Sequence, residues 1–470
     1  MKKYTYIDLF AGAGGLSLGF GNAGMELEFA NDIAKEALDT FRHNLTKTHP
    51  KLNPERIIHG DITALYEHLG TSKVKNNTLG HKVIETDREV SLRMKAPDVK
   101  NDDIKRILSE IESVDILAGG PPCQGFSMIG RSKKANIEER MKGFVDDPRN
   151  QLFQYFLKFA EKLNPKIVLI ENVKGLGSAA GYRDLIVESL RKTGSGYDVS
   201  SEVLNAKEFG LAQHRERLFF IGVRKDLLEK NEDLNSKFIF SEIIKAKEEP
   251  LKLWDVIEDL PQIKANPKPS NYSVEAEVSF SDAKTFGMDV SDNKYDKLTE
   301  GSSYTEKINT YNEKYIVPEF LYNHKSRYHN ERDLFIYKHL AAGKYLNDPA
   351  NKKALSKVSY GVTTDDKGNK VVKGFGDKYF KLNPESVSKT IIAHLETDGN
   401  SYVHPGKNPR SITPREAARI QSFPDWYRFM GGTRNQLKQV GNAVPPMLAF
   451  KIAEVIKETL NNFENNSDKK

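Results

Sequence analysis

Short apolar runs alternate with stretches of helical apolar spacing along the first half of the chain. The runs "KYTYIDLF", "MELEFANDI", "RIIHGDIT", "VDILAGG" and "KIVLIENV" read as five buried strands, three of them with an acid at or near the end. Between them, "DDIKRILSEIES" places Ile104, Ile107, Leu108 and Ile111 on one helical face, with acids in its first turn. "DDPRNQLFQYFLKFAEKL" starts with acids and a proline and continues as an amphipathic helix. "YDVSSEVLNA" and "RLFFIGV" suit an antiparallel pair at the end of the sheet. Strands alternating with helices predict an α/β fold with a doubly wound, Rossmann-like sheet, whose ligands sit at the C-terminal ends of the strands.

After Val223 the rhythm breaks. From about Lys225 to Val403 the spacing is irregular and rich in Asn, Lys and Asp; only "LKLWDVIEDLP" and "ERDLFIYKHLAAG" read as short helices. This predicts a second, smaller, irregular domain. The expected division is 1–224 as catalytic domain, 225–432 as small domain, and 433–470 as a segment returning to the first, with the tail "NNFENNSDKK" disordered. The polar stretch from Leu69 to Val99 reads as a surface insertion.

Composition narrows the class. At 470 residues two domains are the default. Apolar residues make up 38 %, with 33 glycines besides, an ordinary globular balance. A single cysteine excludes an internal disulfide and cysteine-based zinc sites, and no metal is called for. No apolar run approaches the ~20 residues of a membrane helix, and "MKKYTYIDLF" lacks the form of a secretory signal; the expectation is a cytoplasmic protein. The net charge of +6 is unevenly spread. Residues 225–320 hold 13 basic and 20 acidic side chains, whereas 321–390 hold 14 basic and 7 acidic. Such asymmetry fits either a segment facing a polyanion or a solvated lysine-rich surface.

Four clusters carry candidate chemistry. In "DLFAGAGGLSLGF", Ser17 stands where a dinucleotide fingerprint would have its third glycine. The turn is therefore either a tight turn or a cradle for an adenosine ligand with no strong phosphate requirement. Asp32, twenty residues after Gly12, is placed to accept ribose hydroxyls, and Asp61 in "GDIT" to reach an adenine amino group. The lone Cys123, in "GGPPCQGFS", sits on a stiff Pro-Pro turn at the ligand edge. A buried small hydrophobe is the ordinary fate of such a residue; as a nucleophile it needs activation. Glu171 in "IENV" follows an apolar strand and is either a desolvated general acid or a structural carboxylate. In "QHRERLFFIG", Arg215 and Arg217 alternate and would share one face of a strand.

Together the clusters resemble the DNA (cytosine-5)-methyltransferase family of bacterial restriction-modification type. "DLFAGAGGLSLGF", "GGPPCQGFS", "ENVKG" and "QHRERLFFIG" are joined near the C-terminus by "SITPREAARIQSFPDWYRF" and "QVGNAVPPMLAFKIA", six blocks in family order. The resemblance implies methyl transfer from S-adenosylmethionine to carbon 5 of a flipped-out cytosine in double-stranded DNA. Cys123 would be the nucleophile, Glu171 the proton donor, Arg217 the holder of the exocyclic oxygen, and Arg215 a support for loop or base. It implies Phe10, Ala11, Gly12, Gly14, Gly15, Asp32, Ile33, Asp61, Ile62, Pro122 and Asn442 around the cofactor. Asp32 departs from the family, many members of which have Glu there. The stretch from Ser127 to Asn150 is expected to close over the base, with Gln124, Ser127 and Arg149 as DNA or loop contacts. Target readout is expected in about 321–395, with Lys325 and Arg327 on the DNA. A cognate restriction endonuclease acting on the same site is an implied partner. Three rivals stand beside this reading: a tRNA cytosine methyltransferase, a silent DNA-binding module, and an adenosine-cofactor enzyme acting on small molecules.

Overall fold

The structure is a computed structural model that describes residues 3–48, 52–68, 102–122, 151–178, 181–229, 231–266, 304, 307–308, 311, 321–358, 362–364, 366, 368, 370–372 and 378–467. The chain divides into two compact units. The first comprises Met1–Asn205, Glu216–Lys247 and Leu448–Lys470, and the second Ala206–Arg215 and Glu248–Met447.

The first unit is built on a seven-stranded sheet. Its strands are β1 (Thr5–Leu9), β2 (Glu26–Asp32), β3 (Ile57–His59), β4 (Ile116–Gly119), β5 (Ile167–Val173), β6 (Tyr197–Asn205) and β8 (Glu216–Arg224), in the order β3-β2-β1-β4-β5-β8-β6. β1 to β5 are parallel, and β8 runs antiparallel to both β5 and β6. The expected antiparallel pair is present, but β8 is inserted between β5 and β6. The inner strands are apolar on both faces because helices cover them: Ile7, Leu9, Leu117, Val168 and Ile170 share one core with Phe153, Phe156 and Phe159 of the helix Gln151–Leu163. Ile107, Leu108 and Ile111 are buried in the same core. The strand order reverses between β1 and β4, which makes the ends of these strands the switch point where such sheets bind ligands.

The domain limits differ from the expected ones. Residues 225–247 pack with the first unit, and 433–447 with the second. The tail also differs from expectation. A helix runs from Pro446 to Ser467 and includes most of "NNFENNSDKK". Phe463 is buried, Asn461 Oδ1 accepts from Tyr4 Oη at 2.9 Å, and Glu464 pairs with Lys166 at 3.3 Å. One buried ring and two polar ties outweigh the low apolar content that suggested disorder. The expected insertion from Leu69 to Val99 lies outside the described residues.

The second unit has a core organised by buried arginines. The helix Pro414–Ile420 is buried throughout and starts in a capping box between Thr413 and Glu416. Arg410 grips Glu416 with two bonds of 2.8 and 2.6 Å, and Arg419 grips Asp425 with bonds of 2.8 and 2.7 Å. Arg415 donates to the carbonyls of Tyr322, Pro424 and Tyr427. Despite burial, the cations beside Glu416 hold its carboxyl well below the usual range. A short parallel pair joins β7 (Gln213–His214) to Ser388–Lys389.

Candidate active site

The register of the sheet lines up the predicted residues. Leu9 of β1 pairs with Asn31 of β2 and with Gly119 of β4, and Gly119 pairs with Ile170 of β5. One residue further, Phe10, Asp32, Gly120 and Glu171 therefore form a row along the C-terminal edge.

At the centre of that row the chain turns sharply into α1 (Gly15–Asn22). Phe10, Gly12 and Gly14 all have positive φ, at 60°, 55° and 82°. Gly14 must be glycine for a second reason, since a Cβ there would lie 2.4 Å from the Phe41 ring. A Cβ on Gly12 would meet nothing within 4 Å, so the turn opens on free space at that point. Asp32 ties the turn to β2: its carboxylate accepts from the N–H of Gly12 and of Ala34, both at 2.8 Å. Desolvation raises the Asp32 pKa, against the pull of these backbone donors. Ile33, next in sequence, has 41 % of its surface exposed, while its carbonyl is held 3.1 Å from His59 Nε2. An apolar side chain beside a half-buried carboxylate and an open glycine turn suits an adenosine: a base against Ile33, hydroxyls on Asp32.

Other expected contacts prove more structural. Asp61 Oδ1 caps the next helix through Thr63 N–H at 2.9 Å. The Ile62 side chain is buried in the sheet core, so only its backbone can face a ligand. Pro122 is exposed, and Ala11 N–H donates to Asn31 O.

Beneath the turn lies a lock that the sequence reading missed. Ser17 Oγ donates to Asp8 at 2.6 Å, and Tyr6 Oη donates to the Ser17 carbonyl at 3.1 Å. All three side chains are buried. Alternate residues of β1 thus hold α1 through the residue that replaces the fingerprint's third glycine; that departure was the available signal. Burial pushes the Asp8 carboxyl up to about 7, with the nearby Asp32 adding to the shift and Ser17 opposing it. In the unfolded chain the carboxyl ionises near its usual value, so folding loses stability from this group as pH rises from about 4 to 7. Asp8→Asn keeps an acceptor for Ser17 and removes the titration. The melting-temperature difference between variant and wild type is expected to shift in favour of the variant across that window. A constant difference from pH 4 to 8 would contradict the shift.

The other end of the row holds an ion pair. Arg217 Nε lies 3.0 Å from Glu171 Oε1. Glu171 faces Phe219 across β5 and β8, and Val173 faces Arg217, so the two charged residues are diagonal neighbours on one face. The isolated desolvated carboxyl anticipated from the sequence is instead a carboxylate with a guanidinium beside it. A Cβ on Gly120 would come within 3.2 Å of Glu171 Oε2, so the glycine makes room for that oxygen. Asn172 Nδ2 donates to Pro121 O at 3.1 Å and ties the Pro-Pro turn to β5. That tie was also missed; a polar residue directly after "KIVLIE" was its signal.

Arg215 does not share the face of Arg217. It lies between β7 and β8 and belongs to the second unit, where its buried guanidinium donates to the carbonyls of Ile391, Gly441 and Ala443. The two-residue spacing suggested one strand, but the chain leaves β7 before β8 begins. Arg327 likewise serves the scaffold: it is half-buried, and its Nη2 donates to Leu395 O at 2.7 Å. His324 and His329 are buried on either side of it, and Lys325 is half-buried. Asn442 is exposed at the end of the helix Thr433–Asn442. Cys123, Gln124, Ser127, Arg149 and the expected closing stretch lie outside the described residues.

The family model for C-5 cytosine-specific DNA methylases matches residues 4–76 and 60–458. The chain belongs to this family. The type II methyltransferase M.AgeI of Thalassovita gelatinovora is 31 % identical over 491 residues, 96 % of this chain and 98 % of that protein. M.Bpa9945I of Bacillus paralicheniformis, also a type II methyltransferase, is 30 % identical over 496 residues, 97 % of this chain and 99 % of the other. Among solved structures, a prophage-encoded E. coli protein assigned as a DNA modification methyltransferase aligns with a TM-score of 0.57 at 24 % identity, over 98 % of this chain and 100 % of that one. That likeness confirms the α/β methyltransferase fold. The chain is thus a DNA (cytosine-5)-methyltransferase, and the family and fold are those of S-adenosylmethionine-dependent enzymes. No helix among the described residues is long and apolar enough to cross a membrane.

Proposed function

We propose that this chain methylates carbon 5 of a flipped-out cytosine within a specific double-stranded sequence, through a covalent Cys123 adduct at carbon 6. The observation that carries this reading is the Glu171–Arg217 pair, held against the Gly120-Pro121 turn that leads directly into Cys123. S-adenosylmethionine, when bound, supplies an electrophilic methyl for carbon 5. Phe10, the Ala11–Gly15 turn, Asp32 and Ile33 would hold it, with Asp61, the Ile62 backbone, Pro122 and Asn442 at its margins. The open Gly12 edge and the exposed Ile33 fit that group.

The residues of the chain then have separate tasks. The Cys123 thiolate bonds to carbon 6, and the electron pair of the ring double bond moves toward carbon 5, which becomes enamine-like. Arg217 turns to the exocyclic oxygen as the base enters and releases the Glu171 carboxyl to protonate or hydrogen-bond ring nitrogen 3. After methylation a base removes the carbon 5 proton, and the departing cysteine restores the double bond. The cytosine must leave the duplex stack for any of this, at a cost of a few kcal/mol. Gln124, Ser127 and Arg149, in and beside the closing stretch, would contact the DNA.

Target readout falls to the second unit. With Arg327, His324 and His329 serving the scaffold, we assign DNA contact within 321–395 to the exposed Arg332, Lys338, Lys344, Lys352, Lys353 and Lys357 rather than to residues 323–329. Resemblance to type II methyltransferases supports a protective role against a cognate endonuclease in the cytoplasm. The test is labelled S-adenosylmethionine with duplex DNA, tRNA or neither, followed by a methylation-sensitive sequence map. Label in one DNA sequence context at carbon 5 is the expected result. Label in tRNA alone would favour the RNA rival. Exchange of residues 331–380 for those of a relative should move methylation to the relative's site, and an active chimera that keeps the original site would place the reader elsewhere.

A further inference from the structure

Asn442 stands exposed between two buried neighbours whose carbonyls are both held by one side chain. Arg215 Nη2 donates to Gly441 O at 3.1 Å and to Ala443 O at 2.9 Å, while Nη1 donates to Ile391 O at 2.7 Å. Gln421, fully buried, donates from Nε2 to Val440 O at 2.7 Å and to Ala443 O at 3.4 Å. Gln213 closes the ring. Its Nε2 donates to Gln421 Oε1 at 2.8 Å, and its Oε1 accepts from Ile391 N–H at 2.7 Å. From the other side, the backbone of Ile392 and Ala393 sits so close to Gly441 that a Cβ there would be 2.3 Å from the Ile392 carbonyl carbon. The peptide groups on both sides of Asn442 are therefore fixed by two long side chains and one close backbone approach.

We infer that Arg215 is a positioning residue for the cofactor side of the site: with Gln421 it sets the backbone of Asn442, and it does not touch the cytosine. A guanidinium suits the task because its planar fork reaches three carbonyls at once, which an ammonium on a flexible stem cannot do. The inference deepens the proposed function and rests on Asn442 as a contact to S-adenosylmethionine.

The test compares Arg215→Lys, Asn442→Ala and the double variant in the full chain. It measures equilibrium binding of S-adenosylmethionine without DNA, KM for each substrate, kcat and melting temperature. Arg215→Lys and Asn442→Ala are each expected to weaken S-adenosylmethionine binding by about 10-fold or more, as the loss of a charge-assisted bond does. The KM for DNA and kcat should change little, and the double variant should be no worse than the weaker single one. Asn442→Ala removes an exposed side chain, so it stays informative if Arg215→Lys fails to fold. Unchanged S-adenosylmethionine affinity in Asn442→Ala overturns the inference. So does an Arg215→Lys enzyme that keeps its cofactor affinity but loses kcat or DNA affinity. A wild type that binds no S-adenosylmethionine would instead overturn the underlying reading.

Discussion

Cys123→Ala is expected to lower methyl transfer by some 10⁴–10⁶-fold, the range associated with removing a catalytic nucleophile. Affinities for DNA and S-adenosylmethionine should change little. Carbon 5 of cytosine is too weakly nucleophilic to take a sulfonium methyl unaided. The thiolate is what makes it reactive, so no other group can substitute. A free thiol is only a few per cent ionised at neutral pH, and base entry must therefore bring activation with it. The companion experiment uses duplex DNA with 5-fluorocytosine at the target. Fluorine cannot leave as a proton does, so the wild-type enzyme should remain bonded to carbon 6 after methylation. The adduct should survive denaturant and be absent from the alanine variant. A purified variant that still methylates, or wild type that methylates normal DNA but traps no fluorinated DNA, would refute attack at carbon 6.

The second large effect is expected at the ion pair. Glu171→Gln should slow the chemical step by about 10²–10⁴-fold, the usual contribution of a positioned proton donor. Glutamine has nearly the same shape and can keep one bond to Arg217, so the packing against Gly120 is preserved. It cannot supply a carboxyl proton to ring nitrogen 3. The alternative is that Glu171 merely holds Arg217 in place. In that case the variant should lose stability, on the order of 1 kcal/mol for a weakened polar pair, with its rate per folded molecule nearly intact. Melting temperature and single-turnover rate on one preparation separate the two. A variant that melts earlier and turns over normally would remove Glu171 from the chemistry.

The candidate site was readable in the sequence to the extent that its residues terminate strands. In "KYTYIDLF", "MELEFANDI", "VDILAGG" and "KIVLIENV" the apolar run marks the buried strand, and the polar residues after it mark the edge. Phe10, Asp32, Gly120 and Glu171 accordingly fall in one row. Residues whose roles depend on a partner far along the chain were read less well. Arg215 and Arg217 look equivalent two residues apart, yet one binds three backbone carbonyls and the other pairs with Glu171. "NHKSRYHN" reads as a basic, DNA-facing segment, but His324 is held between Thr413 Oγ1 and Pro261 O, and Arg327 is bound to Leu395 O. Basic residues usually face water, and the sequence gives no sign that acceptors from distant segments will enclose these.

By itself, then, the sequence determined the α/β class, the strand ends that bear the chemistry, and the family through six ordered blocks. These follow from local periodicity and from motifs that act over a few residues. Tertiary structure decided the insertion of β8 between β5 and β6, which sets Arg217 beside Glu171. It also decided the exchange of segments between the two units, the burial of Arg410, Arg415 and Arg419, and the helix through Ser467. The physical reason is common to all of them. Strand order, and the burial of a charged or polar side chain, depend on which distant carbonyl, carboxylate or apolar surface meets it, and that choice is made only when the whole chain packs.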